Sequence, residues 1–392
     1  GKRVFQRSRN APLRSLMART GFRVQRNLLF ASSLVRKAGI RTGGGCCLAF
    51  LRSSRRFVAM GTQPAGLSIL VLGDKNDTSL EPLKQLPDGA SIVAVENNPD
   101  SIEDSVLERA TCVYASCKGK VGVNLPKIYS KMPNLTWVHS QTAGVDTIMF
   151  PEFANDEKVT LTNAKSVYNK SLVEYVIFAM MYFAKDCQRL LRNQRNRTWD
   201  AFFIEMIRHK TLGVVGYGDI GRDCARTAKQ AFNMKIVALR RRPSLSDGDG
   251  IADEVYGPDQ LHEMLGKCDY VLCAAPLTRA TKHFFNADAF SAMKKSTVFL
   301  NIGRGPVCQE AALVDALASG AIRGAALDVF EKEPLSKESK LWELENLLLS
   351  PHNADLTELC RVEATEHFLE LIQKSVAGEP LGNVIVDKKA GY

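Results

Sequence analysis

Residues 211–221 read TLGVVGYGDIG, a short apolar run that leads directly into a glycine-rich turn. The turn, Gly216 to Gly221, has the spacing G-x-G-x-x-G. A helical pattern over 220–232 and a second apolar run over 235–239 follow it. A strand, this turn, a helix and a second strand, in that order, predict a dinucleotide-binding βαβ unit. An isolated glycine hexamer is also compatible with an ordinary tight turn, but the flanking pattern favours the binding site.

Six consecutive positions of this turn are candidates for contact with the cofactor. The first glycine allows the tight turn, the second lets the backbone approach a pyrophosphate, and the third lets the helix pack closely on the strand. The helix N-terminus adds free N–H groups and a partial positive charge for the phosphates. The candidates are Gly216, Tyr217, Gly218, Asp219, Ile220 and Gly221.

The end of the second apolar run indicates which dinucleotide binds. An NAD site usually carries Asp or Glu there, which accepts hydrogen bonds from the ribose 2′-OH. This chain has the run RRRP over 240–243 instead. Guanidinium groups bind a 2′-phosphate through charge-assisted bonds, whereas a carboxylate would repel it. The run therefore favours NADP(H) over NAD(H), with Arg240 and Arg241 as cofactor-binding candidates; the alternative is an exposed basic turn without a ligand.

The apolar pattern extends the same architecture in both directions. Strand candidates at 68–72, 91–95, 111–114, 135–138 and 159–162 alternate with helical stretches before a long helix at 171–193. Such alternation predicts an α/β fold with two doubly wound parallel-sheet domains, of which the one with the glycine-rich turn is a cofactor domain of Rossmann type. We expect the active site in the interdomain cleft. We expect a substrate-binding domain over 61–165, completed by a C-terminal helix within 355–392, and a dinucleotide-binding domain over 166–354.

Charge is distributed unevenly along the chain. Residues 1–60 contain 14 Lys and Arg and no Asp or Glu, which leaves 38 of the 52 basic residues beside all 42 acidic ones. The net charge of +10 therefore belongs to the first 60 residues and does not indicate a nucleic-acid partner. A basic, acid-free segment is typical of an organellar transit peptide, mitochondrial or plastid. The alternative is an untranslated leader, in which case we expect a cytoplasmic protein.

Two further observations exclude other classes. The ten cysteines are scattered without a Cys-x-x-Cys pair, so neither a metal site nor a disulfide framework is predicted. No apolar run reaches the roughly 18 residues of a membrane-spanning helix, so no membrane partner is expected.

Three residues suited to catalysis each follow an apolar run. Arg304 follows the run at 297–302, Glu333 the run at 325–330, and His352 the run at 346–350. In parallel sheets ligands bind outside the carboxyl ends of the strands, so these side chains should share one edge. A guanidinium can bind a carboxylate, an imidazole can move a proton, and a carboxylate can orient the imidazole. Taken singly, Arg304 could instead form a surface salt bridge, Glu333 could be an acid beside a helix, and His352 could cap a helix.

The segments around these residues resemble a known family. NIGRGP at 301–306, LDVFEKEPL at 327–335 and SPH at 350–352 resemble signature segments of the D-isomer-specific 2-hydroxyacid dehydrogenases. The resemblance extends over essentially everything after about residue 65. It implies reversible hydride transfer between a nicotinamide and a 2-oxo acid, with Arg304, Glu333 and His352 as the catalytic residues. Glu333, directly before a proline, matches the family position better than Glu331 does.

The resemblance also implies further contacts. TAGV at 142–145 resembles the loop whose N–H groups hold the substrate carboxylate, which makes Ala143 and Gly144 substrate-binding candidates together with Arg304. Asp328 resembles the acid that contacts the nicotinamide carboxamide. The remaining cofactor-binding candidates by resemblance are Ala275, Pro276, Thr281, Ile302 and Gly303.

Among members of that family, the loop at 137–144 and the arginine run are most similar to glyoxylate and hydroxypyruvate reductases. We therefore expect reduction of a small 2-oxo acid with NADPH by an enzyme that is homodimeric, as the family commonly is. A phosphoglycerate dehydrogenase-like enzyme is a first alternative. A nucleotide-sensing binding protein, like the corepressors that share this fold, is a second.

Overall fold

The computed structural model of the protein describes residues 66–391, so the predicted leader over 1–60 lies outside the described residues. Twelve strands in this part of the chain form two sheets, and all strand pairs within each sheet are parallel. The prediction of two parallel α/β sheets is confirmed. None of the described helices is both long and apolar enough to cross a membrane.

The first sheet has five strands in the order β2-β1-β3-β4-β5. Its strands are short apolar runs, and β3 and β4 are buried along their whole length. Runs that are buried on both faces are typical of parallel sheets covered by helices. The strands are β1 (Leu67–Leu72), β2 (Ala90–Glu96), β3 (Cys112–Ala115), β4 (Trp137–Ser140) and β5 (Thr160–Asn163).

The second sheet has seven strands in the order β12-β11-β10-β9-β6-β7-β8. From β6 onwards the chain adds β7 and β8 on one side and then returns to add β9 to β12 on the other, which is the Rossmann order with one more strand. The order reverses between β6 and β9, where such sheets bind ligands. The strands are β6 (Thr211–Val215), β7 (Lys235–Leu239), β8 (Glu254–Tyr256), β9 (Tyr270–Cys273), β10 (Val298–Asn301), β11 (Gly324–Leu327) and β12 (Leu347–Leu349).

Ten α-helices accompany the strands in the described residues. They are α1 (Asp104–Arg109), α2 (Val121–Ile128), α3 (Pro151–Asn155), α4 (Asn169–Ala184), α5 (Cys187–Asn196), α6 (Asp219–Phe232), α7 (Leu261–Leu265), α8 (Ala287–Ser291), α9 (Glu310–Ala318) and α10 (Glu358–Val376). The last of these, α10, packs on the first sheet, where Phe368, Leu371 and Ile372 share a buried cluster with residues of β1.

The single long helix predicted over 171–193 is wrong, because the structure divides this region into α4 and α5. The break lies at Asp186, whose backbone adopts the left-handed conformation with φ of +49°. Its carboxylate accepts a hydrogen bond from the Arg189 backbone N–H, at 3.3 Å, and so caps the new helix. Aspartate is a favoured N-cap residue, and this was the signal in the sequence that the helical periodicity obscured.

The core of the first sheet contains a buried histidine. His139 in β4 is fully buried, and its ring stacks on Phe368 of α10 with centroids 4.6 Å apart. Its Nδ1 lies 2.8 Å from the Thr162 hydroxyl, while Nε2 has no hydrogen-bond partner among the described residues. Burial, together with the neighbouring His367, lowers the pKa of His139 well below its ordinary value. The imidazole is therefore neutral in the folded protein.

This burial makes folding sensitive to mild acid. The unfolded chain takes up a proton at His139 with a pKa of about 6.5, and the folded chain does not. The free energy of unfolding therefore has its maximum contribution from His139 above about pH 7. It falls as the pH drops below about 6.5, by up to about 1.4 kcal/mol per pH unit. Urea unfolding between pH 7.5 and 5.5 should show this loss in the wild type and much less of it in His139→Phe. An equal loss in both proteins would contradict the argument. His262→Gln, at an exposed histidine, is the comparison and should lose stability as the wild type does.

Candidate active site

The structure places Arg304, Glu333 and His352 after three neighbouring strands of the second sheet. Since β10, β11 and β12 are adjacent and parallel, the segments that follow them leave the sheet at the same edge. His352 Nδ1 lies 2.8 Å from a Glu333 carboxylate oxygen. Glu331 lies apart from this contact and pairs instead with His283 Nε2 at 3.0 Å. The geometry thus joins the histidine to the acid that the family pattern favours.

The turn that carries His352 is held by Asp328. His352 itself has a left-handed backbone, with φ of +54°. One carboxylate oxygen of Asp328 accepts hydrogen bonds from the Ser350 hydroxyl at 2.5 Å and from the backbone N–H groups of Asn353 at 2.9 Å and Ala354 at 3.1 Å. Burial raises the pKa of Asp328, although these hydrogen bonds oppose the rise. Asp328 therefore holds the Ser350 side chain before His352 and the backbone after it, in addition to any contact with a cofactor.

Arg304 reaches from the second sheet to the loop after β4. Its Nε and Nη2 atoms donate to one oxygen of Asp146, at 3.0 and 2.8 Å, and Nη1 donates to the Gly303 carbonyl at 2.8 Å. The guanidinium lies against Gly144, the predicted substrate-loop glycine. Arg304 and the candidate substrate loop are thus in direct contact.

Two acids of this site were not found by reading the sequence. Asp146 and Asp355 are each influenced by the charges of both Arg304 and His352, so all four groups are close together. Burial raises the pKa of Asp355, and the positive charge of Arg304 opposes this rise only in part. Asp355 stands three residues after His352, and this proximity was the one available signal.

The glycine-rich turn has the geometry that a dinucleotide requires. Gly216 has φ of +92°, and a side chain there would come within 2.5 Å of the Ala275 backbone nitrogen. Around Gly218 there is open space within 4 Å of the position of a side chain, so a ligand can approach its backbone. The turn opens α6 and lies at the reversal of strand order, where the free N–H groups of a helix N-terminus bind phosphate.

The other residues of the turn differ in what they can contact. Tyr217 is buried in the core, so only its backbone faces the candidate cofactor site. Ile220 packs partly buried against the same core. Asp219 points to the segment that joins the two sheets, where Lys165 Nζ lies 3.4 Å and the Ser166 hydroxyl 3.2 Å from its carboxylate.

The arginine run follows β7 directly, at the edge of the sheet next to the glycine-rich turn. Arg240 is half-buried, and its Nη1 donates to the Ser246 hydroxyl at 2.8 Å. Arg241 is exposed. No acidic residue stands at the position where an NAD site usually has one, because residues 240–242 are all arginine.

The remaining cofactor candidates lie at the ends of β9 and β10, next to the turn. Ala275 is buried and its backbone lies close to both Gly216 and Gly303. Ile302 is buried directly before Gly303. The Thr281 hydroxyl donates to the Pro276 carbonyl at 2.7 Å and so closes the loop after β9. The residues predicted from separate motifs therefore line one region of the second sheet.

Comparisons with known proteins agree with this geometry. The model of the D-isomer specific 2-hydroxyacid dehydrogenase NAD-binding domain matches residues 177–354. A probable 2-ketogluconate reductase of Dictyostelium discoideum is 35% identical over 232 residues, covering 57% of this chain and 68% of that protein. Glyoxylate/hydroxypyruvate reductase B of Escherichia coli is 30% identical over 290 residues, which cover 70% of this chain and 88% of that protein. The crystal structure of an NADPH-dependent glyoxylate/hydroxypyruvate reductase from Sinorhizobium meliloti, in complex with NADP and sulfate, has a TM-score of 0.69 at 26% identity and covers 83% of this chain and 100% of that one.

A Rossmann sheet with a phosphate-binding turn, and an Arg–Glu–His set at its edge, define a nicotinamide-dependent oxidoreductase. The relatives narrow this class. The chain belongs to the D-isomer-specific 2-hydroxyacid dehydrogenase family.

Proposed function

We propose that this enzyme reduces glyoxylate or hydroxypyruvate with NADPH, giving the D-isomer where the new alcohol carbon is chiral. One observation carries the proposal: the His352 imidazole is paired with Glu333 at 2.8 Å at the same sheet edge as Arg304. This arrangement supplies a proton donor and a carboxylate-binding group. The named activities of the Escherichia coli and Sinorhizobium meliloti relatives support this choice of substrate.

His352 is the proton donor in this proposal. Its Nδ1 is bonded to Glu333, which leaves Nε2 as the nitrogen that can give a proton to the carbonyl oxygen of the substrate. The Glu333 carboxylate accepts the hydrogen bond from Nδ1 and so fixes the tautomer and the orientation of the ring. An imidazole suits proton transfer near neutral pH because its unperturbed pKa, about 6.5, is close to the working pH.

Arg304 and the loop after β4 bind the substrate carboxylate. A guanidinium can fork onto a carboxylate and polarise the adjacent carbonyl, and backbone N–H groups at Ala143 and Gly144 add further donors. The glycine-rich turn and the arginine run hold the dinucleotide. When bound, its reduced nicotinamide supplies the hydride for the carbonyl carbon, so that one hydride and one proton convert the 2-oxo acid to the alcohol.

The preference for NADPH rests on Arg240 and Arg241. They stand where an NAD site has an acid, and guanidinium groups bind a 2′-phosphate strongly. The Sinorhizobium meliloti reductase in complex with NADP has a similar fold, which supports the same cofactor here.

The test is the loss of absorbance of reduced nicotinamide on addition of a 2-oxo acid to the purified protein. A panel of glyoxylate, hydroxypyruvate and 2-ketogluconate, each with NADPH and NADH, separates the named activities of the relatives. The highest kcat/KM with glyoxylate or hydroxypyruvate and NADPH is the expected result. A clear preference for 2-ketogluconate would replace the proposed substrate and leave the enzyme class intact.

We propose further that the enzyme is a homodimer formed through the segment between α5 and β6. Trp199 and Phe203 are fully exposed there, and Ile204 and Met206 are more than half exposed. The segment is tied to α5, since Arg189 bonds the Asp200 carboxylate through Nε at 2.9 Å. Several large exposed apolar residues within one short segment are typical of protein–protein contacts. A second copy of this chain is the partner that we propose.

The double substitution Trp199→Ser and Phe203→Ser should therefore convert the dimer to a monomer, because it removes two large aromatic side chains from the interface. Light scattering coupled to gel filtration measures the mass directly. Trp342→Ser, which changes another exposed tryptophan outside the segment, should leave the mass unchanged. A wild-type monomer, or a dimer that survives the double substitution, would contradict the proposal.

A further inference from the structure

The guanidinium of Arg304 is held by an acid from the other sheet. One oxygen of Asp146 accepts hydrogen bonds from both Nε and Nη2 of Arg304, at 3.0 and 2.8 Å. Arg304 follows β10 of the second sheet, whereas Asp146 belongs to the loop after β4 of the first. The contact therefore connects the candidate catalytic edge with the candidate substrate loop.

The pattern of these bonds determines which part of Arg304 can bind substrate. A guanidinium has five N–H groups, arranged along edges that each fit a carboxylate. Asp146 takes the Nε–Nη2 edge, and the Gly303 carbonyl takes one hydrogen of Nη1 at 2.8 Å. The Nη1–Nη2 edge is then the one through which Arg304 can fork onto a second carboxylate. Asp146 and a substrate can thus bind the same guanidinium at the same time.

The backbone beside Asp146 is shaped to let the guanidinium approach. A side chain at Gly144 would come within 1.5 Å of Arg304 Nη2, so the guanidinium lies directly against the glycine backbone. Such a Cβ would also lie 2.8 Å from Cζ, nearly in line with the Cζ–Nη2 bond, so the Gly144 backbone meets the Nη2 end of the group. Gly144 and Asp146 are two residues apart, and together they limit how far the guanidinium can advance and hold its Nε–Nη2 edge.

Charge reinforces the contact. Partial burial alone would raise the pKa of Asp146, but the hydrogen bonds and the positive charge of Arg304 lower it below its ordinary value. The carboxylate therefore stays ionised at neutral pH.

We infer that Asp146 is a positioning residue for substrate binding: it holds the Nε–Nη2 edge of Arg304 so that the adjacent Nη1–Nη2 edge faces the substrate carboxylate. This inference rests on the proposed role of Arg304. The contact between Asp146 and Arg304 makes the position of the loop and the orientation of the guanidinium interdependent. The reason is that Asp146 and the candidate substrate-binding N–H groups lie on the same short segment, 143–146. A substrate carboxylate then meets a donor set that is already aligned, and little ordering is needed on binding.

Asp146 could also act in the opposite way, by competing with the substrate, and the direction in which the KM changes distinguishes the two roles. If the Asp146 carboxylate competed with the substrate for Arg304, removing it would lower the KM for the 2-oxo acid. A positioning role requires the KM to rise, because an unheld guanidinium loses its alignment. The free edge of Arg304 favours a rise in KM, because the two carboxylates use different hydrogens of the guanidinium.

The test uses steady-state kinetics of the full-length enzyme with the 2-oxo acid that the wild type turns over. Asp146→Ala should lower kcat/KM by about 10- to 100-fold, the scale of a lost charge-assisted hydrogen bond. The loss should fall mainly on the KM for the 2-oxo acid and leave the KM for NADPH unchanged. Asp146→Asn should be intermediate, because its amide oxygen still accepts from Arg304. Glu152→Ala, an exposed acid in α3, is the matched control and should behave as wild type.

A double-mutant cycle separates positioning from general damage to the fold. In an Arg304→Ala background, adding Asp146→Ala should cost little more, because there is no guanidinium left to hold. Additive losses, an unchanged KM in Asp146→Ala, or a lower KM would each overturn the inference while the proposed function stands. Absence of turnover with every 2-oxo acid in the wild type would overturn both.

Discussion

Replacing His352 with glutamine is expected to lower kcat by roughly 10²–10⁴-fold, the usual contribution of general acid catalysis. Glutamine can still donate a hydrogen bond near the position of the imidazole, but it cannot deliver a proton at neutral pH. The Glu333 carboxylate, now 2.8 Å from His352 Nδ1, would remain available to bond the amide. Binding of the cofactor should be preserved, because the glycine-rich turn is built from β6 and α6.

The chain offers a closely matched control for this substitution. His283 also has a left-handed backbone, with φ of +53°, and its Nε2 lies 3.0 Å from the Glu331 carboxylate. Its side chain is 41% exposed, compared with 43% for His352. His283→Gln should therefore keep wild-type turnover while changing a similar histidine–glutamate pair. Near-normal turnover in His352→Gln would exclude His352 as the acid, and an equal loss in both variants would point to a structural effect.

His352 can be predicted from the sequence as a functional residue, whereas His283 cannot. The reason is that sequence motifs report only local structure. Apolar runs followed by functional side chains predict strands and the polar groups at their ends, so the positions of Arg304 and His352 at one edge follow from the chain alone. The same reasoning predicts the glycine-rich turn, because the strand and the turn that form it lie within the eleven residues 211–221. Local pattern is sufficient wherever the interacting groups belong to one strand–turn–helix unit.

Local pattern fails where groups meet across the fold. Asp146 and Arg304 are 158 residues apart, and no spacing rule connects an acid after β4 with an arginine after β10. The division between α4 and α5 was missed for a different reason. One left-handed residue, Asp186, interrupts a region whose apolar periodicity continues on both sides. A single backbone angle is decided by tertiary packing and capping, and helical periodicity does not report it.

The cofactor preference depends on a side chain whose setting the structure now specifies. Arg240 directly follows β7, and its Nη1 donates to the Ser246 hydroxyl at 2.8 Å, which limits the directions in which the guanidinium can point. A half-buried and braced guanidinium binds a phosphate with less loss of conformational freedom than an exposed one. Replacing Arg240 should therefore matter more than replacing the exposed Arg242.

Arg240→Asp is expected to lower the NADPH-to-NADH ratio of kcat/KM by about 10- to 150-fold. The substitution removes a charge-assisted bond to the 2′-phosphate, worth about 1.5–3 kcal/mol, and adds an acid able to accept from a ribose 2′-OH. Steady-state kinetics with each cofactor at a fixed 2-oxo acid concentration measures the ratio. Arg242→Asp makes the same charge change at an exposed position two residues later and should alter the ratio far less. An unchanged ratio in Arg240→Asp would mean that another group binds the 2′-phosphate, and equal shifts in both variants would mean that overall charge, not a specific contact, sets the preference.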